Sequence, residues 1–119
     1  MYELVDCLRE ITRQELGLND PCVAESELES ADFRHRAGRA RQIVRESDDV
    51  ARLYKAVLLE TGVDVSSIFY DHFKLRLQPS NVISRTRYMR DLPAHRDTWG
   101  SNIHAQINWW APVWPVRAD

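Results

Sequence analysis

The spacing of apolar residues changes character at Gly62, and that change limits the fold more than any other feature of the chain. Before it, apolar side chains recur every three or four residues, the period of a helix with one buried face. Leu4, Val5, Leu8 and Ile11 predict a first helix, ended by Gly17 and then Pro21. Ser26-Glu27-Leu28-Glu29 has the spacing of a capping box, in which a hydroxyl and a carboxylate each take one orphan N–H at a helix start. Behind it, Phe33, Ala37, Ala40 and Val44 step by four, three and four and form one stripe. Ser47 and Asp48 predict the start of a third helix lined by Val50, Leu53, Tyr54, Val57 and Leu58, with Thr61-Gly62 as its stop.

After Gly62 the period is two. Over residues 68–78 one side carries Phe69, Asp71, Phe73, Leu75 and Leu77, and the other Ile68, Tyr70, His72, Lys74, Arg76 and Gln78. Pro79-Ser80-Asn81 predicts a turn, residues 82–89 a second strand and 90–93 a loop. Residues 103–113 predict another strand, preceded by Gly100-Ser101-Asn102 and closed by Pro112 and Pro115. Helices followed by strands define an α+β class. With 119 residues the expectation is a single domain, residues 1–62 its helical part and residues 63–119 its strand part.

Charge and composition exclude several functions. Sixteen basic against eighteen acidic residues give a net charge of −2, so no electrostatic footprint for nucleic acid is expected. Arg85, Arg87 and Arg90 read as a solvated strand edge. The longest uncharged stretch, residues 98–116, contains His104, Gln106, Asn108, Pro112 and Pro115 and is no membrane helix. The first fifteen residues are too charged for a signal peptide. Cys7 and Cys22 form no CxxC and read as small core residues in a reducing, cytoplasmic setting. With glycine only at 17, 38, 62 and 100, no nucleophile elbow, P-loop or dinucleotide fingerprint is present.

The chemistry-bearing segment is Leu92-Pro93-Ala94-His95-Arg96-Asp97-Thr98-Trp99. On extended backbone His95 and Asp97, two apart, project from one side, where an imidazole nitrogen and a carboxylate oxygen can share a divalent ion. This is part of the 2-His-1-carboxylate triad of non-haem Fe(II) oxygenases. Two residue types this common also meet by chance, and the plain alternative is a loop histidine beside a solvated or capping aspartate.

Three segments carry a family resemblance: Phe73-Lys74-Leu75-Arg76-Leu77-Gln78-Pro79-Ser80, His95-Arg96-Asp97-Thr98-Trp99, and Gln106-Ile107-Asn108-Trp109-Trp110-Ala111-Pro112-Val113. Together they resemble the Fe(II)/2-oxoglutarate-dependent dioxygenases of the phytanoyl-CoA-hydroxylase-like branch, with a likeness to members of the streptomycin-biosynthesis type. The resemblance implies N-terminal helices followed by the first strands of a double-stranded β-helix, a jelly-roll or cupin-like barrel. It implies Fe(II) and 2-oxoglutarate as cofactors, His95 and Asp97 as two of three metal ligands, and hydroxylation of a small metabolite. In that family a distal His and the Arg that binds 2-oxoglutarate follow far downstream. The 22 residues after Asp97 hold only His104 and Arg117, and a jelly roll needs about eight strands. The resemblance therefore implies the N-terminal half of such an enzyme, an incomplete barrel that is a dioxygenase only if completed.

Gln106 and Asn108 share a face of their strand; the resemblance makes them co-substrate contacts, and otherwise they face solvent. Trp99 is a candidate wall of a substrate pocket. His104 and His72 are weighed as third ligands against the plainer reading of half-buried, hydrogen-bonded histidines, and His35 reads as solvated. Trp99, Trp109, Trp110 and Trp114 read as core or interface packing, with no basic stripe for base stacking. An apolar patch over residues 105–114 and an open strand edge predict either a homo-oligomer or poor solubility of the isolated chain. The second functional expectation follows from that edge: a non-catalytic half-barrel module acting through homo- or hetero-oligomerisation.

Overall fold

Each apolar stripe of the first half becomes a helix that turns its stripe inward. The computed structural model of the chain describes residues 1–69, 71–77 and 110–115. Helix α1 spans Tyr2–Leu16 and buries Leu4, Leu8, Thr12 and Leu16, one residue every four. The buried Thr12 hydroxyl donates to the Leu8 carbonyl at 2.7 Å, so no polar atom is stranded. Gly17 ends α1 at φ 69°, its N–H donating to the Arg13 carbonyl, a left-handed cap that suits glycine.

The link to the next long helix is a 3₁₀ turn, Pro21–Val23, and a four-residue helix α2, Ala24–Glu27. Asp20 caps the turn by accepting from the Cys22 N–H. Cys22 is exposed, against its reading as a core residue, whereas Cys7 is half-buried against the core. The capping box does not form. Leu28 is extended, so α3 starts only at Ser30 with Glu29 as an N-cap lacking a side-chain bond. The Ser26 hydroxyl lies within α2 and donates to the Val23 carbonyl.

Helix α3, Ser30–Glu46, buries Phe33, Ala37, Ala40 and Val44, the stripe read from the sequence. Helix α4, Asp48–Glu60, is capped by the Ser47 hydroxyl, which accepts from the Val50 N–H at 3.2 Å. It buries Val50, Leu53, Val57 and Leu58, and the chain turns out at Thr61 and Gly62 (φ 81°). The main cluster joins all three long helices through Leu4, Leu8, Ala40, Val44, Val50, Leu53 and Val57. A smaller one, of Leu16, Ala24, Phe33 and Ala37, closes the end where α2 sits. No helix among the described residues is long and apolar enough to cross a membrane.

The α+β expectation, helices followed by the first strands of a double-stranded β-helix, is overturned for the described residues: their regular structure is helical, and they contain no strand. Residues 71–77 do alternate, with Phe73, Leu75 and Leu77 turned in and His72, Lys74 and Arg76 exposed. What covers the inner side is helix, not sheet. Leu75, 7% exposed, enters the main cluster, and Phe73 meets the Tyr54 ring edge-on at 5.6 Å. The Leu77 carbonyl takes its hydrogen bond from the Arg41 guanidinium at 2.8 Å, where a sheet would supply a neighbouring amide. A period of two reports one-sided burial; it does not specify a pairing partner. Asp71, on the apolar side of the pattern, is exposed. Residues 110–115 are likewise not strand. The turn at 79–81, the strand expected over 82–89, the loop at 90–93 and residues 103–109 lie outside the described residues.

Arg36 locks the end of α1. Its Nε donates to Asp32 at 2.9 Å and its Nη1 to the Leu16 carbonyl at 3.0 Å. A Cβ on Gly17 would lie 2.9 Å from that Nη1, whereas one on Gly38, inside α3, would meet nothing within 4 Å. The two glycines should respond oppositely to alanine. Gly17→Ala should destabilise by about 1–2 kcal/mol through the left-handed backbone, and Gly38→Ala should stabilise by about 0.5–1 kcal/mol. Urea denaturation of both variants checks this; equal signs would contradict the placement of Gly17.

Candidate functional site

His95, Asp97, Trp99, Gln106, Asn108 and His104 lie outside the described residues, so the structure places none of them. It describes the two flanks from which that segment leaves and to which it returns. On the leading side, Phe73, Leu75 and Leu77 pack on the helical cluster, and Arg41 holds the Leu77 carbonyl. On the returning side, Val113 packs against the same cluster, and Arg9 of α1 donates through Nε to its carbonyl at 2.8 Å.

The flanks also meet each other. The Arg76 guanidinium carbon lies 5.1 Å from the centre of the Trp110 ring, within cation–π range. The described residues on either side of residues 78–109, the stretch that contains the H-x-D motif, therefore meet on one helical surface. Trp110 remains 70% exposed, and Val113 and Trp114 are half-buried.

Of the residues weighed as third ligands, His72 is described. It is exposed and shares the outward side of residues 71–77 with Arg76. Its N–H donates to the Asp71 carboxylate at 2.8 Å, which also pairs with the Lys74 ammonium. His35 on α3 is exposed, as a solvated residue should be. Among the described residues no group of three His, Cys, Asp or Glu side chains converges as a metal site would require.

A groove elsewhere runs between the start of α1 and the end of α4, lined by Tyr2, Leu4, Leu53, Ala56, Val57 and Glu60. The N-terminal ammonium bridges it to Glu60 at 3.3 Å. It brings together no nucleophile and base. Burial first, and Asp49 second, push the Cys7 pKa up, with Arg52 opposing, which disfavours its thiolate.

Arg9, Arg41 and Arg76 are the residues that sequence reading missed. Two act on backbone carbonyls, acceptors present at every position and so without a sequence signal. The third acts on an aromatic ring 34 residues away. Against this geometry, no protein-family model, no curated protein and no solved structure matches the chain.

The pairing beside His72 has a measurable acid signature. The hydrogen bond from Lys74, the His72 N–H and the Lys74 charge hold the Asp71 pKa below the ordinary aspartate value. A depressed carboxylate stabilises the fold above its unfolded-state pKa, and that contribution is lost as pH falls through the lower folded value. Carboxyl-carbon NMR titration should give an Asp71 midpoint below that of an ordinary aspartate, moving up in Lys74→Met. A midpoint indifferent to Lys74 would contradict the pairing.

Proposed function

We propose that the chain is an Fe(II)/2-oxoglutarate-dependent dioxygenase-like protein acting on a small metabolite, its helical layer holding the ends of the segment that bears the metal ligands. The observation that supports this reading is the Arg76–Trp110 contact, which joins the two flanks of residues 78–109 where both pack on the helical core. The motif His95-Arg96-Asp97-Thr98-Trp99 lies between those flanks in the sequence. The reading does not require a barrel. It requires that the segment between the flanks bring an imidazole and a carboxylate together, a donor set that suits Fe(II).

In this reading His95 and Asp97 hold the ion, Gln106 and Asn108 donate polar contacts to 2-oxoglutarate, and Trp99 forms a wall of the substrate pocket. Fe(II) with 2-oxoglutarate and O₂, when bound, supplies the oxidising power for hydroxylation. Two protein ligands hold a divalent ion weakly, and functional sites use three or more. Anaerobic titration with Fe(II), or Co(II) as a spectroscopic substitute, should show binding weaker than about 1 µM. His95→Ala and Asp97→Ala should each abolish it, with helical content unchanged by circular dichroism. Binding that survives both substitutions would overturn the reading. Sub-micromolar binding dependent on both would retain it and show that a third ligand is already supplied.

A second reading, a non-catalytic module that works by association with itself or another chain, is favoured by exposed apolar side chains. Phe69 is fully exposed and Trp110 largely so, and aromatic area left in water favours association. Sedimentation across concentration should then show self-association that Phe69→Ser and Trp110→Ser together remove. A monomer at all concentrations would exclude the self-associating form.

A further inference from the structure

The charges of the first half are segregated along the chain. Residues 14–33 contain six acidic side chains and no Lys or Arg, while residues 33–45 contain five Arg and no acid. The five fall on α3, and two of them are tied to α1: Arg36, which also binds Asp32, donates to the Leu16 carbonyl, and Arg39 binds Glu15 at 3.0 Å. The other three, Arg34, Arg41 and Arg45, are exposed. Together with Gly38 they step by four, three and four, so they form one stripe that flanks the buried face of Phe33, Ala37, Ala40 and Val44, turned from it by about 100° around α3. At 1.5 Å per residue the stripe is about 16 Å long.

Arg34 makes no ion pair among the described residues. Arg45 has only the exposed carboxylate of its neighbour Glu46, at 3.3 Å, and Arg41 spends one nitrogen on a neutral carbonyl. Like charges four apart, as at Arg41 and Arg45, destabilise a helix slightly, and only Arg41 offsets this with a bond to another part of the fold.

Gly38 is the independent observation. It is exposed at mid-helix, its φ is not positive, and a Cβ there would touch nothing. Glycine at such a position costs about 0.5–1 kcal/mol relative to alanine, with no turn, helix crossing or backbone strain to account for it. A missing side chain in the middle of an arginine stripe lets another backbone come close while guanidinium groups reach it from either side.

We infer that the exposed face of α3, formed by Arg34, Gly38, Arg41 and Arg45, docks an acidic polypeptide segment. Guanidinium forks match carboxylates in pairs. Nucleic acid is the less suited polyanion, because the stripe includes no aromatic side chain on which a base could stack.

Fluorescence anisotropy of the full chain with labelled oligoglutamate, and in parallel with labelled oligothymidylate, tests the inference at low and physiological salt. Oligoglutamate should bind and weaken as salt rises. Arg34→Glu/Arg45→Glu, which leaves the Arg41–Leu77 bond in place, should weaken it at least tenfold. Gly38→Gln should weaken it severalfold while leaving the thermal melt unchanged or raised, which separates lost approach from lost folding. Arg34→Lys/Arg45→Lys, keeping charge but not the fork, should fall between. Absent binding, indifference to the charge reversal, indifference to Gly38→Gln, or tighter binding of the oligonucleotide would each overturn the inference.

Discussion

A single layer of helices has an apolar core that can be closed on one side only, and something else must cover the other. Here α1, α3 and α4 meet around Leu8, Ala40, Val44 and Val50, and the open side is closed by Leu75, Phe73 and Val113 from the second half of the chain. Burying a leucine side chain is worth about 1.5–3 kcal/mol, whereas an exposed cation–π pair is worth about 0.5–1 kcal/mol. Leu75 therefore docks residues 71–77, and the Arg76–Trp110 contact only sets how the flanks lie once they are docked.

Covering a helical layer with extended chain leaves backbone groups without a ladder. Arginines from the helices answer part of that need: Arg41 reaches the Leu77 carbonyl and Arg9 the Val113 carbonyl. Each sits beside an apolar side chain that enters the core, so one residue supplies burial and its neighbouring helix supplies the hydrogen bond. The outcome that bears on function is that the segment with His95 and Asp97 is tied at both ends to the most buried part of the molecule.

The helices were legible because their signal is local. Phe33, Ala37, Ala40 and Val44 name the buried face of α3, and Ser47 and Gly17 mark ends through backbone geometry that only certain residues satisfy. The capping box was misread because Ser26 and Glu29 have the right spacing while Leu28 between them is extended. The strand expectation failed for a different reason. Alternation at Phe73, Leu75 and Leu77 was correct as a statement about sides, but whether a sheet or a helix covers a side is decided by residues distant in sequence. The same distance hides Arg76 and Trp110 from any local pattern.

The central claim is that the two flanks of residues 78–109 meet on the helical layer, and proton NMR reads it most directly. Nuclear Overhauser contacts should join the Arg76 side chain to the Trp110 ring, and the ring current should move the Arg76 δ-methylene upfield. Leu75 methyls should show contacts to Val50 and Val57 in the same spectrum. An Arg76 side chain at its random-coil shift, with no contact to Trp110 while the Leu75 contacts persist, would contradict the account.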